Sequence, residues 1–411
     1  MNILFLTQYN FSTKHKNSIY EDLVKQLESL GHHIYVISPL EKRENKDTYI
    51  IREDNTTILR VRTGNAQKNN AIEKAITILT IEKLFTKAIK EHFGNVHFSM
   101  VLYATPPVTF YKAVRYVKRR DGAFSYLMLK DIFPQNAIDI GIIGKNIIGK
   151  IIACFFRSKE KKLYQISDYI GCMSPANVKY LLKHNKKLDE RKVGLCPNSI
   201  SIIDRSITRD KKQLIREEYG IPEEKTVIIY GGNLGKPQGI DFLIECLRVL
   251  SENDEVFFVI AGDGTEYNKL ADIIDREKLQ NVKLIKYLPQ EEYNQLVSAS
   301  DIGAIYLDYR FTIPNFPSRI LGYMQARLPI LACTDYSTDM GQIIQNEHFG
   351  WFCPSDNIRL FKKTIKEIME LRRNDFEVMG NAAFEYLNGQ FNVIDTTKSI
   401  LQIYNQNAGN E

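Results

Sequence analysis

The chain alternates between short apolar runs and longer stretches whose apolar residues recur every three or four positions. Ile3–Leu6 reads as a buried strand. Gln8–Lys16 reads as a polar loop, and Ser18–Leu30 then places Ile19, Leu23, Leu27 and Leu30 on one helical face, the spacing of an amphipathic helix. Gly31 stands where that helix stops, since glycine enters the left-handed region without a Cβ penalty. Ile34–Ile37, Ile58–Val61, Ser99–Tyr103 and Phe124–Leu129 continue as strands. Helices are predicted over Ala71–His92 and from Pro106-Pro107 through Arg120, and Tyr169–Met173 and Lys192–Cys196 are the last strands of this half. This order predicts a doubly wound parallel sheet.

Pro197–Lys212 is polar with few apolar anchors and reads as a linker. A second series follows, with strands at Val227–Tyr230, Val256–Ala261, Val282–Ile285, Ile302–Ile305 and Ile330–Cys333 and helical patterns between them. Phe361–Tyr404 is helical apart from a break near Asn388-Gly389-Gln390, and the chain has no internal repeat or low-complexity segment. At 411 residues it exceeds the usual size of one domain. The expected organisation is an N-terminal α/β domain over 1–203, a C-terminal α/β domain over 204–385 and a helical tail over 386–411 packing back on the first. Two such units in tandem set a cleft between two sets of strand ends.

Composition is that of a globular protein, 44% apolar and 25% charged, but the charge is uneven. Residues 1–203 hold 32 Lys and Arg against 18 Asp and Glu, a charge of +14; residues 204–411 hold 23 against 31, a charge of −8. The basic half suits an anionic partner, a membrane surface, a phosphorylated lipid or a nucleic acid, or is simply a solvated surface. No nucleic-acid motif accompanies it. The six cysteines are scattered without a C-x-x-C, as expected of reduced thiols in the cytoplasm. The seven histidines form no metal constellation. Met1-Asn2 leads straight into the first strand, so no signal peptide is expected, and no apolar run is long enough to span a bilayer.

The most informative stretch is Tyr230–Asp241, YGGNLGKPQGID, where a strand turns into a helix. Glycines there let the backbone approach a ligand, and the N–H groups of the next helix favour an anion. Val259–Gly264 is a second strand ending in glycines, and Pro317–Met324 is a third segment suited to phosphate contact. Three turns aimed at one sheet edge are more specific than any one of them.

Together with LPQEEYNQLVSASDIGAIYL, PSRILGYMQARLPILA and, in the first half, FLTQYN, LKDIFPQNAIDIG and LCPNSIS, these motifs resemble a GT-B glycosyltransferase of family 4, within the group that builds O-antigen and capsule repeat units. The resemblance covers nearly the whole chain. It implies a retaining transferase moving a hexosyl or N-acetylhexosaminyl group from a nucleotide-sugar, with UDP the first choice, to a polyprenyl-diphosphate-linked saccharide, with no metal and no other cofactor. It implies a donor site of Gly232, Asn233, Gly235, Lys236, Gln238, Gly262, Gly264, Tyr287, Ser318 and Arg319. Lys236 and Arg319 would neutralise the diphosphate, and the chain around Lys286-Tyr287-Leu288 would flank the base. Two departures stand out: the usual Arg and Lys of the first turn fall on Asn233 and Gln238, and the usual pair of Glu falls on Pro314 and Gly322. The loss of the second acid bears on ribose recognition; Asp308 is a nearby carboxylate or simply a polar strand end.

Asp131 follows a strand of the first half and is assigned to acceptor or sugar positioning, with the role of a base also open to it; a capping role before Ile132-Phe133-Pro134 is the alternative. Arg319 is the second catalytic candidate, and Tyr9 and Asn10 are weaker acceptor contacts. In Ile142–Leu163, apolar residues at helical spacing mix with Lys150, Arg157, Lys159, Lys161 and Lys162. With Phe155 and Phe156 this is the composition of an interfacial helix on anionic lipid; the alternative is an apolar stripe packed on the sheet. The expected location is cytoplasmic, peripheral to the inner face of the cell membrane. A non-hydrolysing UDP-sugar 2-epimerase shares the fold but would require a His/Asp/Glu-rich cleft, and a donor-binding protein without transfer activity is the third reading.

Overall fold

The computed structural model describes residues 1–11, 18–65 and 71–408, with the backbone alone for 71–76, 78 and 408. The Ser12–Lys16 part of the expected loop and the last three residues of the tail lie outside the described residues. The chain divides into two units, Met1–Ser201 joined by Val393–Glu411, and Ile202–Asn392.

In the first unit, β1 (Asn2–Leu6), α1 (Ile19–Ser29), β2 (His33–Glu41), β3 (Tyr49–Glu53) and β4 (Thr56–Thr63) lead to α2 (Ala71–His92). Then come β5 (Met100–Ala104), α3 (Tyr111–Asp121), β6 (Phe124–Leu129), α4 (Gln135–Asp139), α5 (Ile147–Ile166), β7 (Tyr169–Cys172), α6 (Pro175–His184) and β8 (Val193–Leu195). The eight strands order as β3-β4-β2-β1-β5-β6-β7-β8. All pairs are parallel except β3 with β4. β3 was not expected: it is a half-buried edge strand paired with its hairpin neighbour, and its apolar run, Tyr49-Ile50-Ile51, is only three residues long. α1 begins where Ser18 Oγ accepts the Glu21 amide, one of the orphan donors of a helix start. It buries Leu23, Val24 and Leu27 against the β1–β2 face, and Gly31 follows it at φ +80°. α3 begins at Tyr111, past the two prolines where it was predicted.

The second unit runs α7 (Arg209–Glu218), β9 (Thr226–Asn233), α8 (Ile240–Val249), β10 (Val256–Asp263), α9 (Tyr267–Glu277), β11 (Val282–Ile285), α10 (Gln290–Ser298) and β12 (Ile302–Tyr306). It continues with α11 (Arg319–Gln325), β13 (Ile330–Thr334), α12 (Met340–Asn346), β14 (Gly350–Pro354), α13 (Ile358–Met369) and α14 (Arg373–Gln390). Its six strands, all parallel, order as β11-β10-β9-β12-β13-β14. β14 also escaped the pattern, because three apolar residues between Gly350 and Pro354 are too short a run to stand out. β9, β10, β12 and β13 are buried almost throughout, the continuous apolar signature of a sheet covered on both faces.

The break predicted near Asn388-Gly389-Gln390 falls just beyond it: α14 ends at Gln390 and the chain turns at Phe391-Asn392. There the chain returns to the first unit as α15 (Val393–Ala408). Val393 and Ile400 join the core beneath α1, and Tyr404 meets Phe124 edge-on at 5.9 Å.

Candidate functional site

Each sheet has one place where strand order reverses, and ligands of open α/β sheets bind outside the strand C-termini at such a place. In the second unit it lies between β9 and β12. The Gly232–Gly239 turn leaves β9 there, and the 307–318 segment leaves β12. The two are joined by the Asp308 amide, which donates to Pro237 O at 3.0 Å.

The glycines of this turn have distinct causes. Gly232 sits at φ +117°, exposed, and a Cβ on it would lie 3.6 Å from Arg319 Cζ. Gly262 and Gly264 have a packing reason to be glycine, whatever they contact in a ligand. A Cβ on Gly262 would come within 1.9 Å of Gly232 O, and one on Gly264 within 2.4 Å of Leu234 O. They are glycines because the first turn lies directly on them. Leu234 N donates to Asp263 O and Glu266 N to Leu234 O, stitching the two turns together.

Arg319 opens α11 and enters this turn. Its Nη2 donates to Gln238 Oε1 at 2.7 Å, and the guanidinium lies 4.6 Å from the Tyr230 ring centroid. Its Nη1 is buried with no hydrogen-bond partner. Tyr230 in turn donates to Asn233 O at 2.8 Å. So Asn233 and Gln238 are both tied to Arg319 through Tyr230 or directly, and Arg319 brings positive charge to a turn whose usual basic pair is missing. A buried donor and charge without an acid partner is costly unless an anion supplies the contact. Lys236 and Ser318 are exposed at the same edge, and so is Tyr287, beyond β11. Asp308 is bidentate with Arg310, which commits the carboxylate.

A support for this site was not read from sequence. Asp335, fully buried after β13, accepts the Ser337 and Thr338 amides and the Thr338 hydroxyl at 2.8–2.9 Å. Thr338 Oγ1 accepts the Asn315 amide at 3.1 Å, and Ser337 Oγ donates to Phe311 O. The segment leading to Arg319 is thereby pinned on its second side. Burial pushes the Asp335 carboxyl up to about 6. An aspartate after a strand is a weak sequence signal, since its partners only meet in the fold.

In the first unit the strand order reverses between β1 and β5. Thr105, just past β5, accepts the amides of Lys130 and Asp131 and donates to Asp131 O. Both Asp131 carboxylate oxygens accept from Asn136 Nδ2, at 2.7 and 2.8 Å. Lys130 Nζ reaches across to Cys196 O and Pro197 O, and burial lowers its pKa. Thr105, Lys130 and Asn136 were missed; Asn136 stands five residues from Asp131, a spacing with no helical meaning. Glu160 of α5 is the other missed acid. Burial lifts it to about 7, opposed by the Tyr164 hydroxyl and Arg157 and aided by Asp131. Tyr9 is half-buried between Phe11 and Tyr20, and its hydroxyl donates to Glu21; Asn10 is exposed.

α5 divides its faces differently from expectation. Phe156 points inward, 4.9 Å edge-on to Phe133, while Phe155 is exposed. Lys159 lies 3.9 Å from buried Glu82, and Arg157 donates to Gln135. Lys150, Lys161 and Lys162 remain exposed.

Two doubly wound units of this kind are the GT-B fold, the architecture of a large class of glycosyltransferases. Residues 211–386, nearly all of the second unit, match the family model described as glycosyl transferases group 1. The chain is 24% identical over 277 residues to a probable glycosyltransferase WbjE of Pseudomonas aeruginosa, covering 66% of each chain. It is 23% identical over 195 residues to a putative colanic acid biosynthesis glycosyl transferase WcaI of Escherichia coli K12, covering 47% of this chain and 46% of that one. These alignments span just under two thirds and just under half of those relatives' own lengths. In fold it is similar to Anabaena HepE, solved in complex with UDP and glucose: TM-score 0.70 at 15% identity, over 99% of this chain and 100% of that one.

Proposed function

We propose that the chain is a retaining glycosyltransferase of surface polysaccharide assembly. It takes a hexosyl or N-acetylhexosaminyl group from a UDP-sugar and passes it to a polyprenyl-diphosphate-linked saccharide at the inner face of the cell membrane. The observation that carries the donor half is Arg319: a half-buried guanidinium whose Nη1 is shut from solvent without a hydrogen-bond partner, facing positive-φ Gly232 at the strand-order reversal of the matched domain. A diphosphate there supplies the missing acceptor, and as the glycosidic bond breaks the same cation stabilises the charge growing on the leaving group. Lys236, Ser318, Asn233 and Gly235 complete the phosphate contacts, and Tyr287 lies towards the base. Asp131, fixed by Asn136 and Thr105, positions the acceptor or the transferred sugar, with Tyr9 and Asn10 beside the neighbouring strand end. Support for the pathway comes from the relative named for colanic acid biosynthesis, and support for UDP from the HepE complex.

The test is thermal unfolding with UDP, GDP, ADP and TDP and their common sugar conjugates. A ligand that binds only the folded chain raises the melting temperature by mass action. UDP is expected to raise it, and one UDP-sugar to raise it further. Arg319→Ala is expected to abolish that increment, a loss of about 2–4 kcal/mol of diphosphate binding, while melting without ligand near the wild-type temperature. A UDP response unchanged by Arg319→Ala would remove the residue from the site.

A further inference from the structure

The charged residues of α5 do not account for its surface. Ile147, Ile148 and Ile151 are 77%, 68% and 65% exposed, and Ile142, Ile152 and Phe155 are exposed beside them. The opposite face of the same helix, Gly149, Ala153, Phe156 and Leu163, is buried. A helix of twenty residues is about 30 Å long. Its N-terminal half therefore offers a contiguous apolar ridge to the outside, which soluble surfaces rarely keep without a use.

What covers the ridge is read from its surroundings. Lys145, Lys150 and Arg157 flank it, Lys161 and Lys162 follow it, and all are exposed. Glu160 is the one acid in Ile142–Ile166, and it is turned to Tyr164. Apolar turns bordered by cations with no exposed acid fit a lipid surface with anionic headgroups. A protein partner with the matching apolar face would not require so one-sided a charge. No helix among the described residues is long and apolar enough to cross a membrane.

We infer that α5 lies in the plane of an anionic bilayer, with Ile147, Ile148, Ile151 and Phe155 entering the acyl boundary and Lys150, Lys161 and Lys162 meeting the phosphates. Such helices sit about 5–10 Å into the headgroup region. The inference deepens the membrane association proposed above and rests on it. It assigns the hold to insertion of the isoleucines, with the lysines selecting the lipid. Glu160 and the Phe133–Phe156 contact tie the inserted helix to the Asp131 region of the same unit.

The experiment is flotation of the full chain with phosphatidylcholine vesicles, with and without phosphatidylglycerol. It is done at low salt and at about 1 M salt, where charges are screened within roughly 3 Å. Capture by the anionic vesicles that persists in part at high salt is expected. Ile148→Asn with Ile151→Asn should weaken capture about tenfold or more and abolish the salt-resistant part. Lys161→Glu with Lys162→Glu should remove the preference for phosphatidylglycerol. Phe155→Trp in a Trp351→Phe background should shift its emission to the blue on vesicles and resist a water-soluble quencher. Capture lost entirely at high salt, or an introduced indole fully open to the quencher, would overturn insertion. So would a wild-type dimer in sedimentation that the isoleucine pair converts to monomer, since a second copy would then cover the ridge. The UDP melting response, read on the same samples, separates the two proposals: capture without a UDP response sinks the donor reading alone, and a UDP response without capture sinks this one.

Discussion

At the residue scale, environment decides what each polar group can do. Arg319 and Lys236 are both cations in the same turn region, yet Lys236 is exposed while Arg319 is held by Gln238 and Tyr230 with one donor left over. Glu160 makes the same point through pH. Its folded-state carboxyl stands near 7, above the ordinary glutamate value of 4.5, because burial disfavours the charge. Between those values the folded chain holds a proton that the unfolded chain has released, so stability falls as pH rises from about 4.5 to 7. The full swing is at most about 3 kcal/mol. Glu160→Gln should flatten this dependence in urea melts taken at pH 4.5, 6 and 7.5; an unchanged slope would mean that Glu160 is not the group responsible.

At the element scale, buried charge ties helices to sheets. Asp301, ahead of β12, accepts from Lys212 and Arg216 of α7 and from the Val227 amide of β9, at 2.6–2.7 Å. Burial works against its charge, but Lys212 and Arg216 outweigh it and hold the carboxyl below its ordinary value. The stabilisation is therefore present above the unfolded value and is lost as the solution is acidified through the folded one. Asp301→Ala leaves buried Arg216 and half-buried Lys212 without their acid and should cost about 3 kcal/mol, measured as a lower urea midpoint. Because this cluster sits at the N-terminal ends of the strands, opposite Arg319, a stable fraction of the variant should still respond to UDP.

At the scale of the whole molecule, the chain completes its first unit only after finishing its second. α15 adds Val393, Ile400 and Tyr404 to a core otherwise made of residues before 201. A chain ended after Asn392 should lose several kcal/mol from the first unit, as Val393, Ile400 and Tyr404 depart, and should melt in two separated steps. The UDP increment is expected on the later step, which belongs to the intact second unit; a single step at the full-length temperature would show α15 to be dispensable.

The apolar runs by themselves determined most of the two sheets, because strands buried on both faces have no choice of period or partner polarity, and the glycine-rich turns marked where β9 and β10 end. Charge counting placed the basic half, and helical spacing found α5. β3 and β14 were illegible, since edge strands carry little of the buried signal. The turn from α14 to α15 was legible to within two residues; it follows Gly389 closely, because an exposed glycine is tolerated inside the last turn of a helix. Only tertiary structure decided that Gly262 and Gly264 serve the neighbouring turn, that Asn136 and Thr105 hold Asp131, and that Phe156 faces inward while the isoleucines face out. Each of those depends on which residues from distant segments arrive at the same place, and no local pattern encodes that.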